Sequence, residues 1–126
     1  MRGPRARVLV VDDDPDVLAR LNQLGGERWE FVGVSDANLA VQRASAERWD
    51  LLLVDVNLLI LRGDRLVRVL QERTPAHARA PILYFSADDE ARLARLARET
   101  GVAGHVSKGR RNAEILEALA AHLPGG

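Results

Sequence analysis

Four short apolar runs in this chain each end in a side chain that can do chemistry. Val8-Leu9-Val10-Val11 runs into Asp12-Asp13-Asp14, and Leu51-Leu52-Leu53-Val54 runs into Asp55. Ile82-Leu83-Tyr84-Phe85 ends in Ser86, and Val102 to Val106 leads into Ser107-Lys108. A carboxylate directly after a buried strand belongs at the strand's tip. Strands of one parallel sheet that finish in carboxylate, carboxylate, hydroxyl and ammonium can gather those groups at a single edge, which is where open α/β sheets build their sites.

The elements that must position these groups alternate along the chain. The four runs are too short for helices and rich in branched residues, so they read as buried strands. A weaker strand, Trp29 to Val34, sits between the first two. Asp14-Pro15 reads as an N-cap followed by proline at the first helical position, opening a helix that runs to about Leu24 and stops at Gly25-Gly26. Ser35 or Asp36 can cap a second helix over Ala37 to Glu47, whose inner face of Ala37, Ala40, Val41 and Ala44 is mostly small. Further helices are predicted over Asp64 to Arg73, Asp88 to Thr100 and Asn112 to Leu123, with Gly101 stopping the fourth. Five strands in strict alternation with five helices argue for a parallel sheet covered on both faces.

Bulk composition bounds the function. The 126 residues suit one domain, expected over 1–126 with its core at about 8–123, and Pro124-Gly125-Gly126 reads as a frayed tail or the start of a linker. Hydrophobic residues make up 47% and charged residues 29%, a globular balance. The 18 basic and 18 acidic side chains cancel, which gives no electrostatic reason to expect nucleic acid or a membrane as a direct partner. With no cysteine there is no thiol catalysis, thiolate metal site or disulfide framework. The basic start Met1 to Arg7 lacks a following signal-peptide core because Asp12 arrives too soon, and no apolar run approaches the ~20 residues of a membrane span. A cytoplasmic location is expected.

Asp12-Asp13 after the first strand, Asp55 after the third, Ser86-Ala87 after the fourth and Lys108 after the fifth, in this order, resemble the receiver domain of two-component response regulators. The resemblance covers about Val8 to Leu123. It implies a flavodoxin-like (βα)5 doubly wound parallel five-stranded sheet of order 2-1-3-4-5, which places Asp12, Asp13 and Asp55 together at the switch point. Clustered carboxylates repel one another, and a divalent cation relieves the repulsion. Magnesium, or manganese, suits such a set, because it takes oxygen ligands at roughly 2.0–2.1 Å and keeps several waters. The resemblance makes Asp13 and Asp55 direct ligands with the main-chain carbonyl of Asn57, and Asp12 a ligand through water. It also makes Asp55 the phosphoacceptor, taking a phosphoryl group from the phosphohistidine of a sensor histidine kinase or phosphotransfer protein. Lys108, the Ser86 hydroxyl and the Ala87 N–H then hold phosphate oxygens, and Asn57 and Asp88 tune hydrolysis of the acyl phosphate. Phosphorylation in this family turns the face of helix four, strand five and helix five, which would meet a second copy or a downstream protein target.

Each residue also has a plainer reading. The acidic triplet before Pro15 can be a helix cap, and Asp14 is read as that cap alone, with no metal role. Lys108 alone would be a surface lysine and Ser86 alone a cap of the fourth helix; only their joint placement raises them. His77, His105 and His122 lack metal-ligand spacing. The chain also departs from the family pattern. His105 stands where the switch aromatic is usual, so it either follows Ser86 or uncouples the switch. Leu59 replaces a usual proline, which leaves the apolar loop Leu58-Leu59-Ile60-Leu61 either extending the core or forming a partner surface, while Gly63 keeps the family glycine. Gly109 follows Lys108 where proline is frequent. The altered loop and His105 favour an alternative, a pseudo-receiver acting as a phosphorylation-independent interaction module, and the complete Asp12, Asp13, Asp55, Ser86 and Lys108 set opposes it; the Lys-Gly pair itself is not counted as a loss of activity. An aspartyl phosphohydrolase would need a second carboxylate where Asn57 stands, and a nucleotide-binding protein of this fold would need a glycine-rich loop after the first strand. The expected protein is a signalling module and not a metabolic enzyme.

Overall fold

Strands that are apolar on both sides need both faces covered, and the chain meets that need by returning a helix after every strand. A computed structural model describes residues 5–58, 61–75 and 79–124. Met1 to Pro4, Leu59 and Ile60 of the apolar loop, His77 and the closing Gly125-Gly126 lie outside the described residues. The strands are β1 (Ala6–Val11), β2 (Trp29–Val34), β3 (Leu51–Val54), β4 (Ile82–Ser86) and β5 (Gly104–Ser107). They alternate with α1 (Pro15–Gly25), α2 (Ala37–Ala46), α3 (Gly63–Arg73), α4 (Glu90–Thr100) and α5 (Asn112–His122). All pairings are parallel and the sheet order is β2-β1-β3-β4-β5, as the resemblance implied.

Alternation along each strand sends side chains to two separate cores. Leu9, Val11, Leu52, Val54 and Tyr84 join Ala40, Leu66, Val67, Leu70 and Leu93 from α2, α3 and α4. Val8, Val10, Leu51, Leu53 and Phe85 join Val17, Leu21, Ile115 and Leu119 from α1 and α5. Each such leucine contributes about 1.5–3 kcal/mol by leaving water, and together they fix the sheet edge on which the chemistry sits. Leu58 and Leu61 are partly buried against the first core, so these two members of the apolar loop extend the core.

Helix starts follow local acid caps. The Asp14 side chain accepts from Asp16 N with Pro15 next in line, and Asp36, not Ser35, accepts from Leu39 N. The fourth helix begins at Glu90 and not at Asp88: the cap is Asp89, which accepts from Ala91 N at 2.7 Å. Asp88 is diverted by tertiary partners described below. Ser86 is likewise no cap but the last residue of β4. β5 begins at Gly104, two residues later than expected, and Val102 packs against the first core from outside the strand.

At the opposite end of the sheet from the strand-end acids, Arg7 fastens β1 to its neighbours. Its guanidinium lies 4.3 Å from the Trp49 ring centroid and pairs with Glu30 at 2.8 Å and Glu47 at 3.1 Å. Arg43 also holds Glu47, at 2.7 Å, and the two arginines lower the Glu47 carboxyl from 4.5 to about 2. A carboxyl held down in the fold stabilises it above the unfolded pKa, and that contribution vanishes as pH falls through the folded value. The urea midpoint of Glu47→Gln is therefore expected to lie slightly below that of the unaltered protein at neutral pH. The gap should close as pH falls from 4.5 towards 2; a gap constant with pH would assign the effect to packing. The pair is solvent-exposed, so the effect is small.

Candidate functional site

The register of the sheet places the acids. β1 and β3 pair from Val8↔Leu51 to Val11↔Val54, so the residues that follow, Asp12 and Asp55, leave the sheet at the same height. Backbone bonds continue the ladder one step beyond the strands: Asp55 N donates to Val11 O and Asp12 N to Val34 O, both at 3.0 Å. Carboxylate oxygens of Asp12, Asp13 and Asp55 all lie within 4.8 Å of one another. Among the described residues this is the only converging group of three or more potential His, Cys, Asp or Glu ligands. The Asp12 and Asp55 side chains are only 4% and 8% exposed.

Lys108 reaches this cluster from β5. Its Nζ stands 2.6 Å from Asp12 Oδ2 and 3.5 Å from Asp55 Oδ2. Burial pushes the Asp12 carboxyl above its ordinary value, and the hydrogen bond from Lys108 pulls the other way. Two unit charges 4 Å apart interact at about 4 kcal/mol in an effective dielectric of ~20, so one ammonium offsets only part of the repulsion among three carboxylates. The donor set is all hard oxygen and keeps net negative charge, which fits magnesium or manganese and not a soft metal. Asp13, Asp55 and Asp12 would hold such an ion. Asp14 takes another part, since its N–H donates to Asp12 Oδ1 at 2.9 Å while its own side chain caps α1.

The remaining expected residues ring the cluster to different degrees. Asn57 N donates to Asp55 Oδ1 at 3.1 Å and so orients that carboxylate. Ser86 is fully buried at the end of β4, and its Oγ accepts from Asp88 N at 3.4 Å. Ala87 follows it at the surface. Lys108 N donates to Ser86 O at 2.8 Å, which locks the β5 end to the β4 end. Asn57 Nδ2 reaches Asp88 Oδ2 at 3.4 Å, so the two hydrolysis-tuning candidates touch across the mouth of the site. His105 stands apart, paired with Tyr84 in the sheet and facing a groove lined by Glu90, Arg110, Glu114 and Glu117. His122 hydrogen-bonds within its own helix, to Ala118 O at 2.9 Å.

Two residues near the site escaped sequence reasoning. Arg92 ion-pairs with Asp88, and the i,i+4 spacing was the available signal. Arg20 of α1 donates to the backbone of the loop that carries Lys108, and nothing in the sequence marks it.

Comparison with known proteins follows the same lines. The family model described as response regulator receiver domain matches residues 8–120. The chain is 31% identical over 121 residues to the transcriptional activator protein ExaE of Pseudomonas putida, covering 94% of this chain and 55% of that protein. It is 31% identical over 120 residues to the DNA-binding response regulator MtrA of Mycolicibacterium smegmatis, covering 94% of this chain and 51% of that protein. The chain thus spans about half the length of these relatives. Among solved structures it resembles the chemotaxis protein CheY4 of Vibrio cholerae, with a TM-score of 0.80, 22% identity, and coverage of 95% of this chain and 100% of that one. A CheY-like receiver domain protein from Methanospirillum hungatei gives a TM-score of 0.79 at 19% identity, covering 94% and 93%. At these identities the structural likeness speaks for the fold. Among the described residues no helix is long and apolar enough to cross a membrane.

Proposed function

This chain belongs to the response regulator receiver domain family, and from that footing we propose that Asp55 accepts a phosphoryl group from a histidine kinase or phosphotransfer protein. The observation that carries this reading is the meeting of three carboxylates with the Lys108 ammonium at 2.6 and 3.5 Å. An Asp55 oxygen forms the new bond to phosphorus while the P–N bond of the donor phosphohistidine breaks, and its electron pair returns to the imidazole. Positioning and charge neutralisation do most of the work in such a transfer. Lys108 is the point charge available to an incoming phosphate oxygen. The Asn57 N–H holds the Asp55 carboxylate in place. Magnesium or manganese, when bound by the three carboxylates and the Asn57 carbonyl, supplies the remaining positive charge.

Incubation with acetyl phosphate and magnesium, read by intact mass, tests this. One phosphoryl adduct per chain is expected; no adduct at any magnesium concentration would leave the pseudo-receiver reading in its place. The hydrogen-bonded pair of Asn57 and Asp88 at the mouth supports an adduct lifetime of minutes or less, and persistence for many hours would overturn that expectation.

Switching is expected at α4, β5 and α5, where the transmitted signal would meet a second copy or a downstream protein target. Lys108 N and Ser86 O join the β5 and β4 ends, so movement at either residue reaches the other. A phosphoryl group acts by biasing a two-state equilibrium. Amide exchange with and without beryllofluoride should differ across residues 86–110. Identical protection would mean that His105 uncouples the site from this face.

A further inference from the structure

We infer that Arg20 is a positioning residue: its guanidinium clamps the β5–α5 loop so that Lys108 stays over Asp12 and Asp55. This deepens the phosphoacceptor reading and rests on it. Arg20 lies on α1, the helix that the Asp12-Asp13-Asp14 turn leads into. From there it donates through Nη1 to Lys108 O at 2.7 Å and through Nη2 to Arg110 O at 3.1 Å. Its Nε and Nη2 also donate to Asn112 Oδ1, at 3.1 and 2.9 Å. Two residues of the loop and the first residue of α5, 88 to 92 positions away in sequence, are thereby tied to the helix that follows the acids.

The loop needs such a tie. Gly109 sits at its centre, and glycine forfeits the most conformational entropy on ordering. Within the loop, Gly109 N donates to Ser107 Oγ and Arg110 N to Ser107 O, both at 3.1 Å; beyond it, Lys108 N donates to Ser86 O at 2.8 Å and the Arg110 guanidinium pairs with Glu90 at 2.7 Å. They restrain the donors and leave the carbonyls of Lys108 and Arg110 to Arg20. A planar fork of five donors can serve three acceptors at fixed angles, which an ammonium cannot. α1 thus links the two halves of the site rigidly, acids just before its start and the lysine loop about a turn and a half along. Without the clamp, Lys108 would sample positions away from the carboxylates while the carboxylates themselves stayed in register.

That separation gives the test. Arg20→Gln should weaken beryllofluoride binding in magnesium on the order of tenfold, as loss of a supporting residue usually does. Magnesium affinity alone should change less than about twofold, because the ligands stand on β1 and β3. Arg20→Lys keeps the charge but not the fork, and is expected to behave like Arg20→Gln. In a Lys108→Ala background, Arg20→Gln should cost nothing further. Lys108 is the only lysine in the chain, so 13C-lysine labelling gives a single side-chain signal without any ligand. In Arg20→Gln that signal should move to the averaged position of a free lysine. Asn112→Ala, which removes only the side-chain acceptor, should shift it the same way by less, and serves if Arg20→Gln folds poorly. The inference is overturned by an unmoved lysine signal, by rescue with Arg20→Lys, or by equal losses with and without Lys108. Failure of the unaltered protein to bind beryllofluoride would instead overturn the phosphoacceptor reading, and the lysine signal would still decide the role of Arg20.

Discussion

Asp55→Asn is expected to take up no phosphoryl group from acetyl phosphate, and yet to melt higher than the unaltered protein when magnesium is absent. The loss of chemistry follows from the nucleophile: an amide oxygen carries no full charge and cannot form a stable acyl phosphate. The gain in stability follows from the cluster, because one of three carboxylates that share a space within 4.8 Å has lost its charge. The Lys108–Asp12 pair at 2.6 Å survives. Asn57 N can keep its bond to the side-chain oxygen that replaces Oδ1. The new amide NH2 then faces Lys108 where Oδ2 stood at 3.5 Å, which cancels part of the gain. A net of about 1 kcal/mol, or roughly 3–5 °C in a chain of this length, is the expected balance. Magnesium should erase the difference by stabilising only the protein that retains all three carboxylates. Intact mass and thermal melts with and without the metal check both halves. An adduct undiminished in Asp55→Asn would move the acceptor to Asp12 or Asp13.

Much of this site was legible because strand ends are legible. A run such as Leu51 to Val54 has no polar face, so it must lie between two helical layers, and the residue after it must emerge at an edge. That logic sends Asp12, Asp55, Ser86 and Lys108 to one sheet edge, and the fold brings Lys108 to Asp12 and Asp55 there and joins it to Ser86 through the backbone. The order of strands was not readable from periodicity, since each run satisfies the same burial, and came only with the family resemblance. Local caps were half legible. Asp88 and Asp89 are equally good caps by type, and the choice fell to partners far away in sequence: Asn57 and Arg92 hold Asp88, which leaves Asp89 to start α4. Arg20 was invisible for a related reason. On an amphipathic helix a surface arginine and a clamping arginine carry the same pattern. Only the docking of α1 beside α5 separates them.

Gly63→Ala is expected to destabilise the fold by about 3 kcal/mol and to weaken magnesium binding on the order of tenfold, although it adds a single methyl. In an ordinary helix the same change would stabilise by about 0.5–1 kcal/mol, so the sign itself is diagnostic. Gly63 is the buried first residue of α3, and its N–H donates to Val56 O at 2.9 Å. A Cβ there would stand 2.1 Å from Asp55 O and 2.8 Å from both Asp55 C and Val56 Cα. These are main-chain atoms, with no flexible tip that could swing aside. Either α3 lifts off its core, exposing some of Leu66, Val67 and Leu70, or the segment carrying Asp55 moves. Asp55 N is bonded to Val11 O, so movement there strains the bond between β3 and β1. It also shifts the candidate carboxylate ligand that follows β3 against the two that follow β1. Magnesium tolerates little departure from an octahedron, so such a shift costs affinity before it costs the fold. Denaturant midpoints and calorimetric magnesium titration measure the two effects separately. A variant as stable as its parent, with unchanged magnesium affinity, would mean that the α3 start and the Asp55 backbone can separate freely, and that the glycine does not set the acceptor's position.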